Sequence, residues 1–364
     1  MNRRYDFFFY LCRFKSYKDI MKKIFKTAAF VVLALAAAGC AKAVTEGPNE
    51  ANKRYFDAWM ELNHPDVKPT GIGIYILEEE AGNGAEVKKD NYVYVDYTIT
   101  DLQGNITSYT RKETAEQLGE YSKADYYGPK VLTTFENTIQ AGLADALIGM
   151  KVGGRKKIII PSWLMTYKSY DTPEEYLENS SSGTSAVYDI TVTDVTTDIS
   201  KYEIGEISHY IAENIDIFGR LTPADSVKGH YGCYYKQLTA PVDTTSFPSD
   251  TSIYINYTGK LLNGQVFDTT IEKVAKDNNI YSASRAYEPT KINWGEKYSD
   301  LTMGSSNSSM ISGFAITLWQ MRAFEKGIGV FYSPLGYSYN GSGSTIPGYA
   351  PLIFEIEIVE EPED

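Results

Sequence analysis

The chain repeats itself, and that repeat restricts its possible architectures more than any other feature. Two runs, 92–98 and 252–258, alternate β-branched and aromatic residues at period two, the pattern of a half-buried strand. Both end in Tyr-Thr (Tyr97-Thr98 and Tyr257-Thr258) and lead into a glycine turn, Gln103-Gly104-Asn105 and Asn263-Gly264-Gln265. A helix-like stretch stands ahead of each: 50–63, with Tyr55, Phe56, Trp59 and Met60, and 207–218, with Tyr210, Ile211 and Ile215. Strand-like pieces at 71–77 and 232–238 follow them. Further on, Leu143, Ala146, Leu147 and Met150 match Phe314, Thr317, Leu318 and Met321 at the i, i+3, i+4, i+7 spacing of a brief amphipathic helix. A strand then runs into proline (Pro161 and Pro334), and an alternating strand closes each copy at 187–192 and 353–358. Matched landmarks lie 160 to 173 residues apart. The expected class is α+β, with two similar domains, each a twisted antiparallel sheet wrapped over one short helix.

The N-terminal part reads as an export signal. Met21-Lys22-Lys23 is cationic, residues 28–38 form an 11-residue apolar run, and Ala37-Ala38-Gly39 precede Cys40. That is the order of a signal peptide, and the run is shorter than the roughly 20 residues of a spanning helix. The expected organisation is an extension and signal peptide over 1–39, a tether over 40–49, and domains over 50–198 and 199–364. Translation is expected to start at Met21. Removing residues 1–39 takes away 8 basic and 2 acidic residues and leaves 27 against 45, net −18. A surface this acidic repels phosphate, which argues against a nucleic-acid partner. Cys12 and Cys40 lie in or beside the signal region. Cys233 is then the one cysteine left in the body of the chain, so an internal disulfide is not expected there. His64, His209 and His230 lack metal-ligand spacing, so no metal is expected.

The second copy carries more specific residues. Its segment 257–269, with Tyr257-Thr258-Gly259, Gly264 and Phe267-Asp268-Thr269, resembles the signature of the FKBP-type peptidyl-prolyl isomerases. Met310-Ile311-Ser312-Gly313-Phe314 resembles the family's V-I-x-G-W, and 334–339 its P-x-x-x-A-Y. Ile346-Pro347 and 351–354 resemble its closing pieces. The resemblance spans about 231–360 and, more weakly, 70–196. It implies two FKBP-like domains, each with a sheet half-wrapped around a short helix, and cis/trans interconversion of X-Pro bonds without a cofactor. The implied catalytic cup is Tyr257, Phe267, Asp268, Ile311, Phe314, Tyr339 and Phe354. Phe314 would be its floor in place of the family's tryptophan, and Asp268 would lie beside the substrate carbonyl. Ile311 would offer its N–H and Tyr339 its hydroxyl. Leu301, Met310 and Ile346 are the further substrate-binding candidates. The cysteine after Ala-Ala-Gly resembles a lipobox, which makes Cys40 the expected lipidation site. The interval 271–300 is longer than the family's.

In the first copy the Phe-Asp position holds Thr107-Ser108, and the Ile and Trp positions hold Gln140 and Leu143. The landmarks Gly142, Met150, Gly153, Gly154 and Pro161 remain, so a catalytically silent FKBP-like domain is expected there. The expected function is an envelope-anchored prolyl isomerase and folding assistant, held by lipid on the periplasmic face or the cell surface. Its partners would be proline-containing unfolded or extracytoplasmic polypeptides. The rival reading is a non-catalytic FKBP-like binding or scaffold lipoprotein. The pocket residues of the second copy favour the enzyme, and the degenerate first copy and the long interval favour the binder. No Ser/His/Asp arrangement or paired-carboxylate motif supports a hydrolase.

Overall fold

The computed structural model describes residues 47–181, 183–222 and 225–363. The signal-peptide reading, the start at Met21 and the lipidation of Cys40 fall outside the described residues. Pro48–Asp364 forms one compact unit.

The alternating strands build two antiparallel sheets. In the first half helix α1 (Glu50–Asn63) precedes β1 (Pro69–Thr70), β2 (Ile74–Glu80), β3 (Tyr92–Thr100) and β4 (Ile106–Tyr109). Then come α2 (Lys112–Leu118), β5 (Lys130–Thr133), α3 (Ala141–Leu147), β6 (Arg155–Ile160), α4 (Pro173–Asn179) and β7 (Ala186–Thr196). The second half runs α5 (Ile199–Glu213), α6 (Ile215–Phe218), β8 (Cys233–Thr239), β9 (Ser252–Leu261), β10 (Val266–Thr269) and α7 (Glu272–Asp277). It continues through β11 (Thr290–Asn293), β12 (Thr302–Met303), β13 (Ser308–Ser309), α8 (Ser312–Gln320), β14 (Lys326–Phe331) and β15 (Leu352–Val359). The first sheet is ordered β1-β2-β6-β7-β3-β4 with β5 also on β3. The second is ordered β13-β12-β11-β9-β15-β14-β8 with β10 also on β9. Removing β1 from one and β12–β13 from the other leaves the same strand order, so the sequence repeat is a repeat of topology. The mixed class with two antiparallel sheets agrees with the expectation.

Register makes the equivalence residue-specific. Ile99 faces Ser108 and Tyr188 in the first sheet, where Gly259 faces Asp268 and Phe354 in the second. Both β3–β4 and β9–β10 shift register by a bulge, at Thr107 and at Phe267 respectively. A bulge leaves its extra residue unpaired and re-aims the side chain.

One short helix fills the hollow of each sheet, α3 with Leu143, Ala146 and Leu147, and α8 with Phe314, Ile316 and Leu318. A glycine brings each close: a Cβ on Gly142 would lie 2.5 Å from Ile160, and one on Gly313 would lie 2.3 Å from the Phe331 ring. The leading helices close the cores. Phe56 and Met60 of α1 join the first core, where Phe56 meets Trp163 edge-on. Ile204, Ile207 and Ile211 of α5 pack with Tyr234, Ile328, Val330 and Ile353 on the second sheet. Helix α5 begins at Ile199, eight residues before the apolar spacing signals it, because the Asp198 side chain caps it by accepting from the N–H of Lys201. Among the described residues no helix is long and apolar enough to cross a membrane.

Helix α5 also brings a carboxylate into the core. Glu203 is buried and accepts hydrogen bonds from the N–H (2.6 Å) and hydroxyl (2.7 Å) of Ser333, just past β14. Burial pushes its carboxyl up to about 7 from the usual 4.5, against the lowering effect of those two bonds. The folded chain therefore holds this proton more tightly than the unfolded chain. Its contribution is full below about pH 4.5 and is lost as pH rises through 7. The Glu203→Gln variant should remove a pH-dependent loss on the order of 2–3 kcal/mol between pH 5 and 8. Urea denaturation across that range checks it, and parallel curves for variant and wild type would contradict it.

Candidate functional site

Strand β9 enters the second hollow at Tyr257, whose buried ring lines a cavity of about 510 Å³. That volume suits a few side chains of a peptide. The floor is Phe314 at the start of α8, 5.5 Å from the Tyr257 ring and nearly perpendicular to it. Phe354 of β15 completes the base, 4.9 Å from Phe314 and at 90°. Phe267, aimed inward by the β10 bulge, meets Phe354 edge-on at 5.5 Å. Edge-to-face packing aligns ring edges with ring faces, and here it fixes four rings as one apolar wall.

Gly259 makes room for that wall. A Cβ there would lie 2.6 Å from the Phe267 ring and 2.9 Å from Phe354. The equivalent residue of the first copy is Ile99, and the bulge residue is Thr107 in place of Phe267. Glycine with phenylalanine in one copy is thus exchanged for isoleucine with threonine in the other, and the bulk moves from the bulge to the strand.

Asp268 is the charged group of the cup. It accepts a 2.7 Å hydrogen bond from the Tyr257 hydroxyl and a close ion pair from Arg285. The Arg285 guanidinium also lies over the Tyr287 ring, 5.5 Å from its centre. Burial, and then the Asp268 carboxylate, push the Tyr257 phenol up, so it stays a hydrogen-bond donor at neutral pH. Burial and the same carboxylate also push up Tyr337.

The cavity lining includes seven of the residues predicted from sequence: Tyr257, Phe267, Asp268, Phe314, Phe354, Met310 and Ile311. Ile346, the eighth, lines it as well. Leu301 does not: it is buried in the core beneath, and Met303 of the β12–β13 hairpin lines the cup instead. Tyr339 does not line it either, and Tyr337 does. The backbone turns through a left-handed conformation at Ser338 (φ 50°), so the tyrosines on its two sides part. Tyr337 faces the cup, whereas Tyr339 is 68% exposed and lines a cavity of the first half. Sequence reasoning missed Arg285, because a surface arginine in a long loop gives no period or motif.

The interval 271–300 is less unusual than it reads. Helix α7, a tyrosine-braced turn and β11 repeat α2, a like turn and β5 of the first half at a constant offset. The copy-specific addition comes later, in the short turn at Tyr298–Asp300 and the β12–β13 hairpin. Among the described residues no cluster of three His, Cys, Asp or Glu is placed to hold a metal.

Replacing Gly259 by isoleucine should cost about 1–3 kcal/mol by overpacking. Adding Phe267→Thr, which reproduces the pair of the first copy, should restore most of that stability while taking one ring out of the wall. Thermal melts check this, and a double variant less stable than the single one would contradict it.

Comparison with known proteins bears on the same region. Residues 243–359 match the family model described as FKBP-type peptidyl-prolyl cis-trans isomerase. No curated protein matches the chain by sequence. Among solved structures, the chain is similar to the three FKBP domains of wheat FKBP73, at 15% identity over 82% of this chain and 100% of that one (TM-score 0.28). It is similar to a peptidyl-prolyl cis-trans isomerase of Pseudomonas syringae pv. tomato, at 21% identity over 45% of this chain and 97% of that one (TM-score 0.29). It is also similar to FkpA of Escherichia coli, at 19% identity over 50% of this chain and 71% of that one (TM-score 0.27). Over residues 243–359, therefore, the chain carries a domain of the FKBP-type peptidyl-prolyl cis-trans isomerase family.

Proposed function

We propose that the chain is an envelope-anchored prolyl isomerase and folding assistant, with its activity in the second half. The observation that carries this reading is the apolar cup of Tyr257, Phe267, Phe314 and Phe354 with the Tyr257–Asp268–Arg285 group at its edge. Rotation about an X-Pro bond crosses a barrier of about 20 kcal/mol because the amide loses its resonance as it twists. The twisted amide is less polar than the planar one, so a dry aromatic cup shaped to the prolyl ring favours it over the ground state. Neither a nucleophile nor an acid–base pair is needed. Asp268 serves as a fixed charge beside the carbonyl that turns, held in place by Tyr257 and Arg285. The backbone at Ile311, just before α8, and the Tyr337 hydroxyl would meet the peptide, since both residues line the cavity. Anchoring by lipid at Cys40 would keep the cup beside extracytoplasmic clients carrying proline, on the periplasmic face or the cell surface.

The first half has the same strands but not this chemistry. Leu143 stands at the floor, Ser108 at the acid and Ile99 at the glycine, so its cavity, though lined by tyrosines that include Tyr97 and Tyr188, has neither the aromatic floor nor the charge. The reading assigns it no catalysis.

The test is isomerisation of a proline-containing tetrapeptide by the full chain. Asp268→Ala should lower kcat/KM about 10- to 100-fold, and Ser108→Ala at the equivalent place in the first half should leave it unchanged. A folded chain with no rate above the uncatalysed one would reject the enzyme in favour of a binding or scaffold protein.

A further inference from the structure

The two halves carry the same turn, used differently. Residues 121–127 and 281–287 each pair two tyrosine rings, Tyr121 with Tyr127 at 5.5 Å and Tyr281 with Tyr287 at 5.3 Å. In each the second tyrosine hydroxyl accepts from a serine N–H, Ser122 at 3.1 Å and Ser282 at 2.9 Å. The backbone then closes alike, from Asp125 to Ser122 and from Arg285 to Ser282. Asp125 and Arg285 therefore occupy equivalent positions on equivalent scaffolds. Arg285 turns to Asp268 of its own cup. Asp125 does not serve the first half's cavity: its carboxylate accepts from the hydroxyl of Ser344, in the second half.

Its neighbours do the same. The Tyr126 N–H donates to the Ser344 carbonyl at 2.8 Å, and the Gln265 side-chain amide donates to the Ala124 carbonyl at 2.9 Å. The two second-half partners lead into different walls of the cup. Gln265 lies two residues before Phe267, and Ser344 lies two residues before Ile346, both of which line the cavity. The Tyr126 ring rests on the second core, which gives the segment a fixed seat.

We propose that residues 124–126 of the first half brace the second half's cup by tying together its bulge wall and its rim, with Asp125, Ser344 and Gln265 as positioning residues. The inference rests on the reading of that cup as the substrate site. A rim held in place is pre-organised for peptide, so its loss weakens binding more than turnover. The first half is then a built-in brace for a catalytic neighbour, and this explains how it can keep the fold without keeping the cup.

The test uses the full chain. Asp125→Ala and Ser344→Ala should each raise KM about three- to tenfold, the range of one hydrogen bond, with kcat and melting temperature little changed. The double variant should be no worse than either single one. Asp125→Asn, whose amide oxygen can still accept from Ser344, should restore KM. Hydrogen exchange supplies a readout independent of activity. The amides of Ser342 and Ile346, which pair with each other's carbonyls across the rim, should exchange faster in Asp125→Ala. Faster exchange there in a chain with no isomerase activity would sink the enzyme reading and support the brace. Unchanged exchange, or losses that add in the double variant, would overturn the brace.

Discussion

The antiparallel register of β9 sets Gly259 opposite Phe354 on one side and Asp268 on the other, and the rest of the site depends on that crossing. Without a side chain at 259 the bulged Phe267 can fold over the strand and meet Phe354, and the two rings wall a cavity that Phe314 floors. The same bulge that aims Phe267 inward sets Asp268 beside the Tyr257 hydroxyl. A sheet with any larger residue at that crossing would have to give up the ring wall. The first half shows the result: Ile99 occupies the crossing and Thr107 the bulge, and its cavity keeps the rings of Tyr97 and Tyr188 but has no ring at the bulge and none at the floor, where Leu143 stands.

Much of the fold was legible in the sequence because its two periodicities are strong. The period-two runs located β3, β9, β7 and β15, and the brief apolar helices α3 and α8 declared themselves by spacing. Parts whose stability comes from tertiary contact were not visible. Strands β5 and β11 are four residues long and lack a period, and α2 and α7 are short helices with little apolar pattern. The beginning of α5 depends on a capping aspartate rather than on an apolar residue. The architecture repeated within 271–293 therefore leaves no sign in the sequence, where the interval 271–300 reads only as long.

The site was legible to the extent that it follows the strands. Residues on β9, β10, β15 and the start of α8 are fixed by register, and all of those named from sequence line the cup. Residues on loops were placed less well. A left-handed turn at Ser338 exchanges Tyr339 for Tyr337, and this depends on a backbone conformation that spacing cannot reveal. Leu301, just ahead of the β12–β13 hairpin, sinks into the core, and Met303 of that hairpin reaches the cavity in its place. Arg285 gains its meaning from Asp268, seventeen residues away in sequence and in contact in space.

The central claim is that a prolyl peptide occupies the second cup and not its vestigial counterpart. Nuclear magnetic resonance of the full chain, isotope-labelled and titrated with a proline-containing peptide, tests it most directly. The account predicts shifts concentrated at Phe267, Ile311 and Tyr337, saturating together, with Leu143 and Tyr188 unmoved. Shifts centred on Leu143 and Tyr188, with the second cup silent, would contradict it.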